Sequence, residues 1–260
     1  MQCNIRNKEW VIIIFKECRI CIDAGHGGMD PGAVSGEFKE KDLTLDIALS
    51  LKKRLSRYKI FEIFMTREKD ESVSLHNRCE IANKNLCSLF VSIHINSASN
   101  SSASGIETYV YGDGDKSNGL LFQERLIAIT GEKDRGVKTN PLLYVLGSTD
   151  MTAVLLELGF INNFHDINSL RKATYRQTLV NAIESAICKY FDIPVQGDGT
   201  KMIYQTVNQI PEYANDTIRE LVNDKIIKGD TKGDLNLTDE MIRVIIICKR
   251  MIDKKIKSSE

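Results

Sequence analysis

The 260-residue chain lacks a charge of either sign in excess: 35 lysines and arginines balance 35 aspartates and glutamates. The 65 residues from Gln196 onward hold 11 of each, so neither half is basic. Nucleic-acid binding draws most of its affinity from cationic contacts to phosphates, and that class is set aside. Long apolar runs are missing as well. The N-terminal stretch WVIIIF, Trp10 to Phe15, has six residues, too few for a membrane span and short for a signal-peptide core. No A-x-A-like cleavage site follows it, so neither membrane insertion nor an encoded export signal is expected. The seven cysteines are odd in number, and Cys21, Cys188 and Cys248 sit inside apolar runs, which suits buried thiols in a reducing compartment. Cys18-x-x-Cys21 has the spacing of a redox or zinc pair, but no second pair follows.

What is present is an ordinary globular composition, 42% hydrophobic and 27% charged, on a chain long enough for one sizeable core and a small second module. From Arg19, strand-like and helix-like patterns alternate. RICIDA is a short β run ended by glycines, and KDLTLDIALSLKKRLSRY carries Leu43, Ile47, Leu51 and Leu55 at helical spacing. KIFEIFMTR, SLFVSIHIN, GIETYVYG, LLYVLG and TAVLLELGF read as further strands. LHNRCEIANKN, NGLLFQERLIAITG and YRQTLVNAIESAICKYF read as helices. The expectation is an α/β fold: a three-layer domain with a largely parallel mixed sheet flanked by helices. Its expected limits are 18–192. Residues 1–17 are either an N-terminal extension or an edge strand, and the Pro-, Gly- and Asp-rich stretch 193–201 is a linker.

Residues 202–257 then form a small, mainly helical module. One helix opens at Pro211, carries Ala214, Ile218, Leu221 and Val222, and stops near Gly229. A second is capped by Thr238, with Asp239 and Glu240 in its first turn, and runs through Met241, Val244, Ile245 and Cys248. GDTKGDLNL between them is turn chemistry, and its Asp230 and Asp234 lack EF-hand spacing.

Ligands in open α/β sheets gather at the carboxyl ends of strands. His26 follows CIDAG, His94 closes LFVSIH, and Glu157 sits in TAVLLELGF; Glu40 stands just before the first amphipathic helix. Singly, each has a bland reading, a structural histidine or a first-turn dipole partner. The loop GHGGMDPG is no phosphate cradle, because AVSGEFKEK reads as loop rather than helix and no Lys-Ser/Thr follows. Its glycines give conformational freedom around one imidazole. Together, two imidazoles and a carboxylate make a His2Glu set that suits zinc with an open fourth position. A further carboxylate in an apolar strand has its pKa raised by burial, as a general base requires. H-E-x-x-H is absent, so such a site must be assembled from separate strand ends.

The ordered motifs DAGHGGMDPGA, EKDLTLDIA, FMTREKDESVSLHNRCEIAN, LFVSIHINS, GIETYVY, DRGVK and LYVLGSTDMTAVLLELGFINN resemble those of the zinc-dependent N-acetylmuramoyl-L-alanine amidases, the amidase 3 family. The resemblance covers roughly Arg19 to Phe191, with departures at Ala24, where Asp-Pro-Gly is commoner, and around Met151. It implies one zinc per catalytic domain, bound by His26, Glu40 and His94, with Glu157 catalytic and peptidoglycan as substrate. The absent export signal then favours a phage endolysin, made in the host cytoplasm and acting on the wall after holin-type release. A host autolysin or sporulation amidase, and a non-catalytic wall-binding protein on the same fold, are the alternatives. The C-terminal stretch from Ile210 to Ile245 resembles S-layer-homology-like and lysin-tail segments. That implies wall attachment, with self-association of a helix pair as the competing reading.

Overall fold

The computed structural model describes residues 18–193, 195, 203–210, 212–229, 234–238, 241–242 and 244–249. The expected extension 1–17, most of the linker, and Pro211, Asp230, Asp239 and Glu240 lie outside these residues. The chain divides into two compact units between Asp192 and Ile193.

The first unit is built on six strands, β1 (Arg19–Ala24), β4 (Glu62–Met65), β5 (Leu89–Asn96), β6 (Ile106–Val110), β7 (Asp134–Thr139) and β8 (Thr152–Phe160). They lie in the order β4-β1-β5-β8-β6-β7. All neighbours are parallel except β8 and β6. Consequently β6 and β7 run opposite to the other four, and their first residues lie at the edge where β1, β5 and β8 end. The central strands are covered on both faces, which is why β5 and β8 read as near-continuous apolar runs.

Helix α1 (Glu40–Leu55) buries Leu43, Ile47, Leu51 and Leu55, the four positions its periodicity marks. It packs with α3 (Lys116–Thr130) against α6 (Ala173–Tyr190). On the opposite face, α2 (Leu75–Lys84) and the single turn α4 (Tyr144–Gly147) cover Cys21, Phe90, Ala153 and Leu155. Ser74 caps α2 by accepting the Asn77 N–H at 3.1 Å. The arrangement is the expected three-layer α/β domain.

In this unit two local expectations change, at LLYVLG and AVSGEFKEK, and two elements appear that the sequence pattern did not mark, at DRGVK and HDINSL. LLYVLG is not a strand: Ser148 N–H donates to the Tyr144 carbonyl and Leu146 N–H to that of Leu143, closing the α4 turn. A six-residue apolar run does not separate a strand from a buried turn, and here Val145 and Leu146 point into the core beside α2. DRGVK is the core of edge strand β7, whose half-exposed side chains leave no apolar signature. AVSGEFKEK contains a small hairpin, β2 (Val34–Ser35) with β3 (Phe38–Lys39). HDINSL lies in helix α5 (Phe164–Leu170), capped by Asn163.

In the second unit, β9 (Ile203–Tyr204) pairs antiparallel with β10 (Leu237–Thr238), so part of the supposed turn GDTKGDLNL is strand. Helix α7 (Glu212–Asn223) and helical residues 241–242 and 244–249 complete it. Thr238 caps the latter, its hydroxyl accepting the Met241 N–H at 3.3 Å. Tyr204, Ile210, Ala214, Ile218, Leu237, Ile242 and Ile246 form its core, while Met241 and Val244 are exposed.

Beneath the carboxyl edge of the main sheet lies a buried charge network. Asp23 accepts from Thr66 Oγ1 (2.7 Å), Arg78 Nη1 (2.7 Å) and Ser92 Oγ (2.6 Å). Arg78 also donates to the carbonyls of Ala24 (2.6 Å) and His26 (2.7 Å), so it ties α2 to the loop after β1. Burial alone would raise the Asp23 carboxyl, but the Arg78 charge and the Ser92 hydrogen bond hold it below the usual range. Its contribution to stability is thus present at neutral pH and lost as pH falls through the folded-state value. Replacing Asp23 by alanine leaves a buried guanidinium without its carboxylate, and the expected loss is about 3–5 kcal/mol in urea unfolding. A loss below about 1 kcal/mol would contradict this role.

Candidate active site

Strand alternation divides one face of the sheet into two halves. Cys21, Phe90, Ala153 and Leu155 lie under α2 and α4. Two residues further along each strand, the same face carries Asp23, Ser92 and Glu157, then His94 and Asn96 on β5. Register aligns these across strands: Asp23 with Ser92, His94 with Glu157, and Glu157 with Glu107 of β6. The polar half is the floor of the candidate site.

Glu40, the first residue of α1, reaches over the edge of this floor. Its Oε1 accepts the Ile95 N–H (2.9 Å) and lies 2.9 Å from His94 Nδ1. Its Oε2 accepts the Ala33 N–H (2.9 Å) and lies 3.1 Å from His26 Nε2. The two imidazoles meet edge to face, centroids 4.9 Å apart. One donor atom from each of His26, Glu40 and His94 falls within 4.8 Å of the others.

The loop sequence follows from this crowding. His26 has φ of 61°, a left-handed conformation costly for a residue with a Cβ. It is held there by Arg78 on its carbonyl and by Asp30 Oδ2, 2.7 Å from its Nδ1. At Gly25 a Cβ would lie 2.4 Å from the His94 ring, and at Gly32 (φ 65°) 2.6 Å from Glu40 Oε2. These two glycines are needed for the close approach of the site residues, beyond any sharpness of the turn.

The electrostatics suit a cation. Burial alone would depress the His26 imidazole, but Glu40 and then Asp30 outweigh it and push it up to about 9. His94 is raised in the same way, chiefly by Glu40, with Glu157 adding. Burial would raise Glu40, yet the two imidazoles hold it far below the usual carboxylate range. The three side chains therefore gather protons around a carboxylate, and a divalent ion ligated by the same N and O atoms would displace them.

Glu157 differs. Its Oε2 is buried with no hydrogen-bond partner among the described residues. Burial, with Glu40 and Glu107 adding and His94 opposing, pushes the carboxyl up to about 7. A buried oxygen left without a partner inside a polar floor marks a place for a water or a substrate atom.

All four nominated residues thus lie in one region, the first three in mutual contact and Glu157 opposite His94. A second group, Glu132, His165 and Asp166, also brings donor atoms within 4.8 Å. Asp166 there accepts the backbone N–H groups of Gly105 and Phe160, both at 2.9 Å, which is a structural task. Cys18 and Cys21 are buried, and hydrogen bonding to Cys87 and burial push the Cys21 thiol well up, away from thiolate chemistry. Sequence reasoning missed Asp30, which stands one helical turn's spacing after His26 in a loop. It also gave no task to Glu107, whose only signal is a charge within the apolar strand IETYV.

Residues 20–189 match the family described as N-acetylmuramoyl-L-alanine amidase. The chain is 38% identical over 177 residues to the uncharacterized protein YqiI of Bacillus subtilis, covering 66% of this chain and 84% of that one. It is 35% identical to the sporulation-specific N-acetylmuramoyl-L-alanine amidase of the same organism (67% and 69% covered). It is 34% identical to the endolysin of Bacillus phage SPP1 (70% and 69%). The solved catalytic domain of CwlV, an N-acetylmuramoyl-L-alanine amidase from Bacillus (Paenibacillus) polymyxa, superposes with a TM-score of 0.65 at 32% identity, covering 68% of this chain and 99% of that domain. With motif order, sheet order and these matches in agreement, the chain belongs to the N-acetylmuramoyl-L-alanine amidase family, Amidase 3.

Proposed function

We propose that the protein cleaves the amide between the lactyl group of N-acetylmuramic acid and the L-alanine of the stem peptide. His26, Glu40 and His94 would hold a zinc ion, and Glu157 would act as general base. The observation that carries this reading is the orphaned Glu157 Oε2 beside a His-Glu-His donor set. Two nitrogens and one oxygen leave a fourth tetrahedral position open, the pattern of catalytic rather than structural zinc. When bound, the ion supplies Lewis acidity that polarises the amide carbonyl and acidifies water. Glu157 Oε2 takes the proton of the attacking water and returns it to the departing alanine nitrogen, and a carboxyl near neutrality suits both transfers. Asp30 fixes the His26 ring by accepting a hydrogen bond from its Nδ1–H, leaving Nε2 for the metal.

Digestion of purified cell walls tests the reaction class. New L-alanine amino ends are expected. New reducing sugar ends would point to a glycosidase, and no new ends at all to the non-catalytic wall-binding alternative.

Two settings remain distinct biologically. The endolysin reading is supported by the phage SPP1 relative. The sporulation-specific relative supports a host setting, and the timing of expression, at phage induction or at sporulation, separates them.

For the site, His26→Ala and His94→Ala should each lose metal and activity together, measured by elemental analysis and turnover. Stoichiometric zinc with near-native turnover in either variant would refute the ligand set. Glu157→Gln should keep zinc and lose roughly 10²-fold or more in rate, the scale of lost acid–base catalysis. Loss of metal in that variant would make Glu157 a ligand instead. For the second unit, we infer attachment to the wall. Residues 18–195 should cleave soluble muropeptides at near full rate but intact walls more slowly, because a tether raises local enzyme concentration. Equal rates on intact walls would exclude anchoring, and a dimeric full chain beside a monomeric truncation would make the module an assembly device.

A further inference from the structure

Beside Glu157, on the two reversed strands, lies a group that the hydrolytic reading does not use. Glu107 is buried, and both its oxygens are occupied. Oε1 accepts from Asn96 Nδ2 (2.8 Å) and Tyr109 OH (2.9 Å). Oε2 accepts from Arg135 Nε (2.7 Å) and from Lys138 Nζ. One carboxylate thus holds two cations, which leaves an unmatched positive charge on an otherwise acidic floor. The Arg135 guanidinium is further fixed by the Phe160 ring, 4.6 Å below it. Its Nε is committed to Glu107, but neither Nη nitrogen has an acceptor among the described residues, and a quarter of the side chain is exposed. A guanidinium locked in orientation with its outer fork free presents a ready receptor for a carboxylate.

The placement says which carboxylate. Glu107 sits directly opposite Glu157, a separation of about 5 Å between Cα atoms, and β7 lies about 4.8 Å further out. The β7 backbone therefore lies about 10 Å from that of the base, counted across two strand spacings. The fork reaches back from it over Glu107 to the Phe160 ring of β8, so it stands no farther than that from the base. An extended peptide advances roughly 3.3–3.6 Å per residue. With hydrogen-bond distances at either end, the fork meets a group one residue beyond the one released. We propose that Arg135, assisted by Lys138, binds the free α-carboxylate of the second stem residue, the D-glutamate that follows L-alanine. The stem peptide would then leave across β6 and β7, and the sugar would lie toward the His26 side. This rests on the amidase reading above.

The test uses two muramoyl tripeptides that differ at one group, muramoyl-L-Ala-γ-D-Glu-L-Lys-amide and its D-isoglutamine counterpart, in which the α-carboxylate is a carboxamide. The full-length wild type should favour the carboxylate form in kcat/KM by about tenfold or more, the scale of a charge-assisted hydrogen bond. In Arg135→Gln the ratio should fall to near one. Arg135→Lys, which keeps the charge without the fork, should lie between. Because each ratio is taken within one protein preparation, partial misfolding of a variant cancels. A wild-type ratio near one, or an undiminished preference in Arg135→Gln, overturns the proposal while leaving the amidase reading intact. If the wild type cleaves neither substrate at the muramoyl–alanine bond, the amidase reading fails and this inference with it.

Discussion

The Glu40 carboxylate is held by four donors from two separate pieces of chain, and the candidate site exists because of it. Two are backbone amides, of Ala33 and Ile95, and two are imidazoles, of His26 and His94. A carboxylate so engaged pins the start of α1 to the end of β5 and to the loop after β1 at once. The same loop is gripped from below. Arg67 donates to the carbonyls of Ala24 and Gly25, Thr44 donates to Gly25, and Arg78 donates to Ala24 and His26. These bonds stabilise a left-handed His26 that would otherwise relax. The strain and the close approach at Gly25 and Gly32 are two consequences of bringing three ligand-type side chains within one ion's reach.

A second constraint is topological. Four strands end at the edge where β6 and β7 begin, so residues early in the reversed strands share a floor with residues late in the parallel ones. That is how Glu107 and Arg135, distant in sequence from His26, come to flank Glu157. It also separates two carboxylates chemically. Glu107 is paired with two cations, which overcome the effect of burial and hold it below the usual range, whereas the buried Glu157 rises toward neutrality. Divergent pKa values on neighbouring carboxylates are how one site can hold a fixed anion and a proton carrier together.

Much of the architecture was legible because it is periodic. The leucines and isoleucine of α1 mark its buried face, and β5 and β8 announce themselves as apolar runs. Elements whose pattern is short or half-exposed were not legible: the α4 turn, edge strand β7, and the two-residue strands β2, β3, β9 and β10. Of the site, His26, His94 and Glu157 were conspicuous as polar residues at or near strand ends, and Glu40 as an acid before a helix. Their convergence depends on strand order, which no local pattern encodes. Asp30, Arg78 and Arg135 act through hydrogen bonds across 4, 52 and 28 residues of sequence, and only the folded chain reveals them.

The central claim is that three side chains bind one metal while Glu157 stands apart as the base. A crystal structure of the zinc-loaded protein, with anomalous data at the zinc edge, tests it most directly. The account predicts one strong peak in the main domain, ligated by His26, Glu40 and His94 at about 2.0–2.2 Å, with Glu157 outside the coordination sphere. A peak ligated by Glu157, or one at Glu132, His165 and Asp166 with the first site empty, would contradict it.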